Sequence, residues 1–418
     1  MDAGQREGFR YPKVVIERTT QTLKGLLGQP LEQSSLMRPF LQSPTQSVEM
    51  QALRKSAETV VSGPVRAALQ AYADYIEKQL GATAGDSLAA TDMPMGQEHY
   101  RMLIERFTTE NGDPEEIHAF GLSEVERIRQ EMLLIAADAG FPGDLAAYRT
   151  ALLARPGQIL PSAEALRERI EILSKRIDGR LPEFFGRLPR MSYGVRSIPE
   201  AIAPYLPPAY ALPNPANGTA AGVHWITSLP DRCPSYLHIP LALHEAWPGH
   251  LMHLALIQEM DLPEFRRNNS ARYSAQLEGW ALYCEWLGHE FGLYDTPDKK
   301  YGRLEMEIWR ACRLVVDTGL HVKGWSRDQA IEFMSRHMSM PIETIRVEVD
   351  RYIGFPAQAL SYLLGFRCVQ AIRADAEKQL GSAFRLREFH DALMEVGAVT
   401  LPVLREAMRE WVQARVSL

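Results

Sequence analysis

The residues most suited to chemistry are packed into LALHEAWPGHLMHLAL, positions 241–256. His244 followed by Glu245 opens like the H-E-x-x-H helix of zinc hydrolases, in which two histidines bind the metal from one helical face and the glutamate serves as general base. The position four residues after His244 is Pro248, which cannot ligate, and the next histidine, His250, comes two residues late. On an unbroken helix six residues turn about 240°, so His250 would face away from His244. The intervening residues offer a repair. Pro248 has no N–H to bond to the carbonyl of His244, and Gly249 tolerates unusual backbone angles. A bulge or break at Trp247-Pro248-Gly249 would absorb the surplus and return His250 to His244. The plainer reading is a helix carrying a few satisfied polar side chains. His253, one turn past His250, is either a supporting group or a competing ligand.

A catalytic zinc takes three protein ligands and keeps a fourth position open. The apolar segment YSAQLEGWALYCEWLGHEFG carries Glu278 near its start. A carboxylate facing a core needs a partner, and a metal is one. Glu285, seven residues on and on the same face, could accept a hydrogen bond from a ligand histidine and orient it. Against this, Glu278 could be a first-turn acid favoured by the helix dipole.

The elements that must position these groups are mostly helical. YPKVVIERTTQTLKGLL, PVRAALQAYADYIEKQL, LSEVERIRQEMLLIAADAG and SAEALRERIEILSKRIDGRL all have helical apolar periods. Ser123 and Ser162 read as N-caps of the last two, with Gly near each end. Positions 188–240 are rich in Pro, Gly and Asn and contain short β-like runs, notably GVHWITS. Helical periodicity then resumes to the end. This predicts an N-terminal helical half, 1–200, and a metal-binding catalytic half, 201–418. The 418 residues, 46% apolar, suffice for one large domain or two lobes around a shared core. Charged residues make up 23% and the net charge is -6. With no Lys/Arg-rich block, this argues against nucleic acid as a partner. Cys233, Cys284, Cys312 and Cys368 are far apart and read as reduced thiols. We see no secretory signal and no apolar run long enough to span a bilayer, so a cytoplasmic location is expected.

Four motifs in register, LALHEAWPGHLMHLAL, LEGWALYCEWLG, RACRLVVDTGLHVKGWSRDQAI and EVDRYIGFPAQALSYLLG, resemble the domain of unknown function 885 family of bacterial proteins. That family looks related to the mostly helical gluzincins, such as angiotensin-converting enzyme and the thermostable Taq-type carboxypeptidases. The resemblance is dense from about Pro204 to the C-terminus and weaker back to residue 8. It implies His244 and His250 as metal ligands, Glu278 as the third, and Glu245 as general base. The chain departs from the family pattern at Leu251 and His253, where His and Gln are usual. It departs again at Thr227, where the family strand carries Asn; Thr227 is therefore a candidate substrate contact.

Amide hydrolysis also needs a donor for the developing oxyanion, which helical gluzincins take from a Tyr or His late in the chain. Arg313, Asp317 and His321 are spaced along one helical stripe, so Asp317 could fix the tautomer of His321. After Pro356, Gln358 and Tyr362 share a face, Gly365 keeps the neighbouring surface small, and Tyr352 and Arg351 sit just before the break. Either Tyr could be the donor, or both could be core aromatics. Arg351 or Lys323 could pair with a substrate carboxylate. By analogy with zinc peptidases, GVHWITS is expected to be an edge strand along which a peptide pairs.

The expected architecture is a mostly α-helical, metallopeptidase-like fold with a small β element and two helical halves around a central cleft. The expected activity is hydrolysis of peptide (amide) bonds in short peptides, with one Zn2+ per chain. The alternatives are a zinc amide hydrolase acting on a non-peptide or biosynthetic intermediate, and a non-catalytic helical binding protein. A short peptide or amide is the expected partner, with neither nucleic acid nor membrane; a homodimer is left open.

Overall fold

The computed structural model describes residues 1–41, 47–200, 202–268 and 272–416. Its contacts divide the chain into two units, 1–96 and 97–418. In the first, YPKVVIE opens α1 (Lys13–Gly28). One stripe of α1, Ile16 and Leu23, packs with Ala73 of α2 (Arg66–Asp74) and with Ile76 and Leu80 beyond it. Helical structure here begins upstream of Pro64, at Val48. Pro64 sits inside a π turn, Val61–Val65, a looser geometry that absorbs the missing N–H.

In the second unit, α3 spans Pro114–Asp138 and so starts well before Ser123. Asp113 accepts from the N–H groups of Glu115 and Glu116 at 2.8 and 3.2 Å, and Pro114 suits the first helical position. Ser123 is left mid-helix, where its Oγ donates to the carbonyl of Phe120 at 2.7 Å. The helix α4 (Ala163–Asp178) begins as expected, with Ser162 Oγ accepting from Ala165 N at 3.1 Å. The boundary expected near residue 200 falls inside this unit, because α4 packs on the strand and helix that follow it.

The sheet has three strands, β1 (Tyr193–Ser197), β2 (Ala209–Leu212) and β3 (Gly222–Ile226). Their order is β1-β3-β2. The strand β3 runs parallel to β1, with Val195 opposite His224, and antiparallel to β2, with Ala211 opposite His224. GVHWITS is therefore the central strand, not an edge. Nearly all of β3 is buried, as expected of a strand with neighbours on both sides. The edge on the side of the helices is β2, a short run that periodicity does not mark.

Six of the helices that follow supply residues to the site described below: α5 (His238–Glu245), α6 (His250–Glu259), α7 (Ser274–Leu287), α8 (Pro297–His321), α9 (Ile342–Gly354) and α10 (Ser361–Leu380). The chain is thus mostly α-helical with a small β element. The spine is α8, buried at every position from Tyr301 to His321. It carries Arg310, Arg313 and Asp317 into the interior, where each charge must find a partner. Among the described residues, no helix is long and apolar enough to cross a membrane.

The crossing of α7 and α10 fixes where the first turn of α7 stands. A Cβ at Gly365 would lie 1.8 Å from the carbonyl oxygen of Ala275, and one at Gly279 would lie 2.3 Å from the carbonyl carbon of Gly365. Both obstacles are backbone, so neither can be cleared by a side-chain rotation. Gly365→Ala is expected to destabilise the fold by at least about 1–3 kcal/mol, the usual range for overpacking; chemical denaturation of the purified variant measures it.

Candidate metal centre

The anticipated repair is a full break. The helix α5 ends at Glu245 and α6 starts at His250, with Ala246–Gly249 turning between them. Gly249 is needed for room: a Cβ there would stand 2.0 Å from the carbonyl oxygen of His244. Trp280 of α7 secures the turn by donating from Nε1 to the carbonyl of Pro248 at 2.9 Å. The two imidazoles consequently face one another, with ring centroids 4.7 Å apart and planes at 86°.

Glu278, in the first turns of α7, meets both rings. His244 Nε2 and His250 Nε2 lie 3.4 and 3.3 Å from Glu278 Oε2. One ligand-type atom from each of these three residues lies within 4.8 Å of the others. Behind His244, Nδ1 stands 2.7 Å from Glu285 Oε1, which also accepts from Arg310 Nη2 at 3.2 Å. A carboxylate can only accept, so Nδ1 carries a proton, and Nε2 is the ring nitrogen left facing Glu278. The buried Glu278 Oε2 makes no hydrogen bond. Two sets of lone pairs facing each other repel unless a proton or a cation lies between them.

The titration behaviour has the same cause. Burial opposes charging His244, but Glu278 and Glu285 outweigh it and push its pKa up to about 10. Burial also opposes charge on Glu278, and the histidines beside it override this and hold its pKa well below the ordinary carboxylate value. The pocket wants positive charge between three donors. Two imidazoles and a carboxylate are a set suited to a divalent cation such as zinc, with a fourth position left for water.

The cluster opens into a cavity of about 390 Å³. Glu245 lines it next to His244, β2 supplies Ala209, Tyr210 and Ala211, and α8, α9 and α10 close the other side. The sequence places the cleft between two helical halves, 1–200 and 201–418; every residue that lines this cavity, from Pro207 to Tyr362, belongs to the second.

Comparison with known proteins accords with this architecture. A family model described as "Bacterial protein of unknown function (DUF885)" matches residues 1–408. The chain belongs to the DUF885 family. Among solved structures, the DUF885 chain is similar to "the putative lipoprotein from Colwellia psychrerythraea", with a TM-score of 0.92 and 31% identity over 99% of this chain and 72% of that one. It shares its fold with "a putative lipoprotein of unknown function from Shewanella oneidensis", with a TM-score of 0.70 and 18% identity over 95% of this chain and 73% of that one. No curated protein matches it.

Of the two candidate tyrosines in this DUF885 chain, Tyr362 reaches the cavity and Tyr352 does not. Tyr352 Oη is consumed inside: it donates to Glu348 Oε2 at 2.8 Å and accepts from Arg313 Nε at 2.9 Å and Trp309 Nε1 at 3.1 Å. His321 also lies outside the cavity lining. Its Nε2 is 3.0 Å from the carbonyl of Tyr352 and its ring is 5.5 Å from that of Tyr100. Eight helical residues cover about 12 Å, so one stripe of α8 has Arg313 at the cavity and His321 well beyond it. Asp317 is bonded to Tyr100 Oη at 2.7 Å and Ala357 N at 3.0 Å.

Among the substrate-binding candidates, Arg351 lines the cavity. Gln358 sits behind it, accepting from Arg351 Nη2 at 2.8 Å. Lys323 lies beyond the end of α8, paired with Glu115. Thr227 is fully buried and braces the sheet: its N donates to the carbonyl of Pro208 at 2.7 Å, and its Oγ1 accepts from Leu229 N at 3.1 Å. Trp309, Arg310, Arg313 and Glu348 also line the cavity, although only Arg313 stands out in the sequence, and then as part of the His321 stripe. A signal is present there: Arg310 and Arg313 are like charges three residues apart on an apolar helix, an arrangement unfavourable without acids nearby.

His253 has both ring nitrogens buried without a hydrogen-bond partner and packs near Trp280. Burial, aided by His250, lowers its pKa to about 3. Metal analysis is expected to find one divalent cation per chain, lost in His244→Ala, His250→Ala and Glu278→Ala and retained in His253→Ala. Removing the carboxylate behind His244 in Glu285→Gln is expected to weaken metal affinity roughly 10–100-fold, measured by competition with a chromogenic chelator.

Proposed function

We propose that this DUF885 protein is a zinc-dependent hydrolase that cleaves peptide bonds in short peptides, akin to the helical gluzincins. The observation that carries the reading is the convergence of His244, His250 and Glu278 at the floor of a cavity that Glu245 also lines. Zinc, when bound, supplies polarisation of the scissile carbonyl and acidification of a water. Glu245 takes the proton from the attacking water and returns it to the leaving amine. Tyr362 presents its side chain to the same cavity and is the donor for the developing oxyanion. Its ring rests 4.2 Å from the Arg313 guanidinium, which keeps it in place.

The strand β2 favours an extended peptide. Thr227 N bonds to the carbonyl of Pro208, so in this antiparallel ladder Tyr210 and Leu212 face β3. The intervening Ala209 and Ala211 turn their backbone N–H and C=O away from β3, toward the open edge. Both line the cavity. Main-chain bonds along such an edge hold a peptide with little regard to its side chains.

A cytoplasmic location belongs to the same proposal and rests on four free, buried cysteines. The word lipoprotein describes the two solved relatives. Recovery of the protein with the membrane fraction would place it in the envelope instead.

Glu245→Gln is expected to retain its zinc and to lose roughly 10²–10⁴ in turnover of short peptides, the usual effect of removing a general base. Zinc content and single-turnover hydrolysis of a peptide library by the same preparation check both halves; a zinc-replete variant with wild-type turnover excludes the role.

A further inference from the structure

The wall opposite the zinc ligands carries more positive charge than it balances. The helix α8 places Arg310 and Arg313 there, and α9 adds Arg351. Arg310 is committed to Glu285 behind His244, at 3.2 Å. Arg313 and Arg351 share one carboxylate, Glu348, with Nη2 of the first at 3.0 Å and Nη1 of the second at 3.7 Å. Glu348 is held further by the Tyr352 hydroxyl at 2.8 Å. Two guanidinium groups against one carboxylate leave one positive charge over.

The leftover charge has unused donors. Arg313 is 3% exposed, and its Nη1 is buried without a hydrogen-bond partner. An unsatisfied buried donor on a charged group is costly and persists where a ligand completes it. Gln358 holds the plane of Arg351 through Nη2, while the Arg351 side chain keeps 37% of its surface exposed. Both residues line the cavity that holds His244, His250 and Glu278.

We propose that Arg313 and Arg351 form the subsite for the free α-carboxylate of the peptide, so that cleavage proceeds from the C-terminus. One net positive charge matches a monoanionic carboxylate better than a dianionic phosphate, and planar guanidinium groups match its two oxygens. The cavity lies at the small end of ligand pockets, which suits a short C-terminal product rather than a chain threading through. Each turnover consumes one water. The C–N bond near the C-terminus breaks, a C–O bond forms on the acyl side, and the proton from water goes to the leaving amine. The proposal rests on the hydrolase reading for its chemistry, though not for its binding.

The test uses the full chain and two probes, an N-acetylated tripeptide as its free acid and as its C-terminal amide. Binding is measured calorimetrically on chelator-treated protein, and kcat/KM on the zinc-loaded protein. The free acid is expected to be favoured by at least about tenfold, as a charged hydrogen bond implies. That preference should collapse in Arg351→Gln and recover in part in Arg351→Lys, which keeps the charge without the fork. Arg313→Gln should act likewise; because Arg313 is buried in an ion pair, its fold is checked by circular dichroism, and Arg351→Gln is the deciding variant. Acid preference in binding without hydrolysis leaves the subsite standing and removes the hydrolase. Equal treatment of acid and amide by the wild type in both measurements, or an unchanged preference in Arg351→Gln, overturns the subsite.

Discussion

Glu285 is a carboxylate enclosed between three helices, and the groups facing the cavity are arranged around it. From α7 it accepts a hydrogen bond from His244 of α5 and another from Arg310 of α8. Removing a charge from water is expensive, and only good geometry on both sides offsets the loss. Here the geometry also fixes how groups at the cavity are oriented. The bond to Nδ1 orients the ring of His244, and the bond to Arg310 ties the cavity-facing turn of α5 to the arginine-rich wall of α8. The position of Tyr294, whose hydroxyl donates to the backbone carbonyl of Glu285 at 2.6 Å, adds a further restraint.

The same need for partners runs along α8. A helix buried for six turns would ordinarily be apolar throughout, yet this one carries charged residues at its centre. Each is answered from a different element: Arg310 by Glu285 of α7, Arg313 by Glu348 of α9, Asp317 by Tyr100 and the backbone of Ala357. Charged cross-links of this kind fix the register of helices that apolar packing alone would leave free to slide. At the cavity the pairing is no longer one to one, because Arg313 and Arg351 draw on a single acid.

Much of this was legible locally. Helical periodicity identified a mostly α-helical chain, and the Ser162 cap marked the start of α4 correctly. The motifs identified the family, and the Pro-Gly pair foretold an interruption between His244 and His250. The placement of Ser123 as a cap failed because Asp113-Pro114 upstream is a stronger start, and a helix once nucleated runs through a serine. The GVHWITS run was recognised as a strand. Its place in the middle of the sheet depended on β1 and β2, which lie apart in sequence and have weak patterns of their own.

By itself the sequence determined which residue types stood within one or two helical turns of each other: His244 with Glu245, Glu278 with Glu285, Arg313 with Asp317 and His321. Those relations follow from helix geometry, which is local. Tertiary structure decided which members of each stripe face the cavity, because that depends on how far along its axis one helix crosses another. The crossing of α7 and α10 is set by backbone meeting backbone at Gly279 and Gly365. Packing of α9 against α8 turned Tyr352 inward to Arg313 and Trp309, while α10 turned Tyr362 toward the cavity. Two tyrosines of equal standing in the sequence thereby acquired different surroundings, since no local spacing encodes the distance between helices that the chain joins only through a turn.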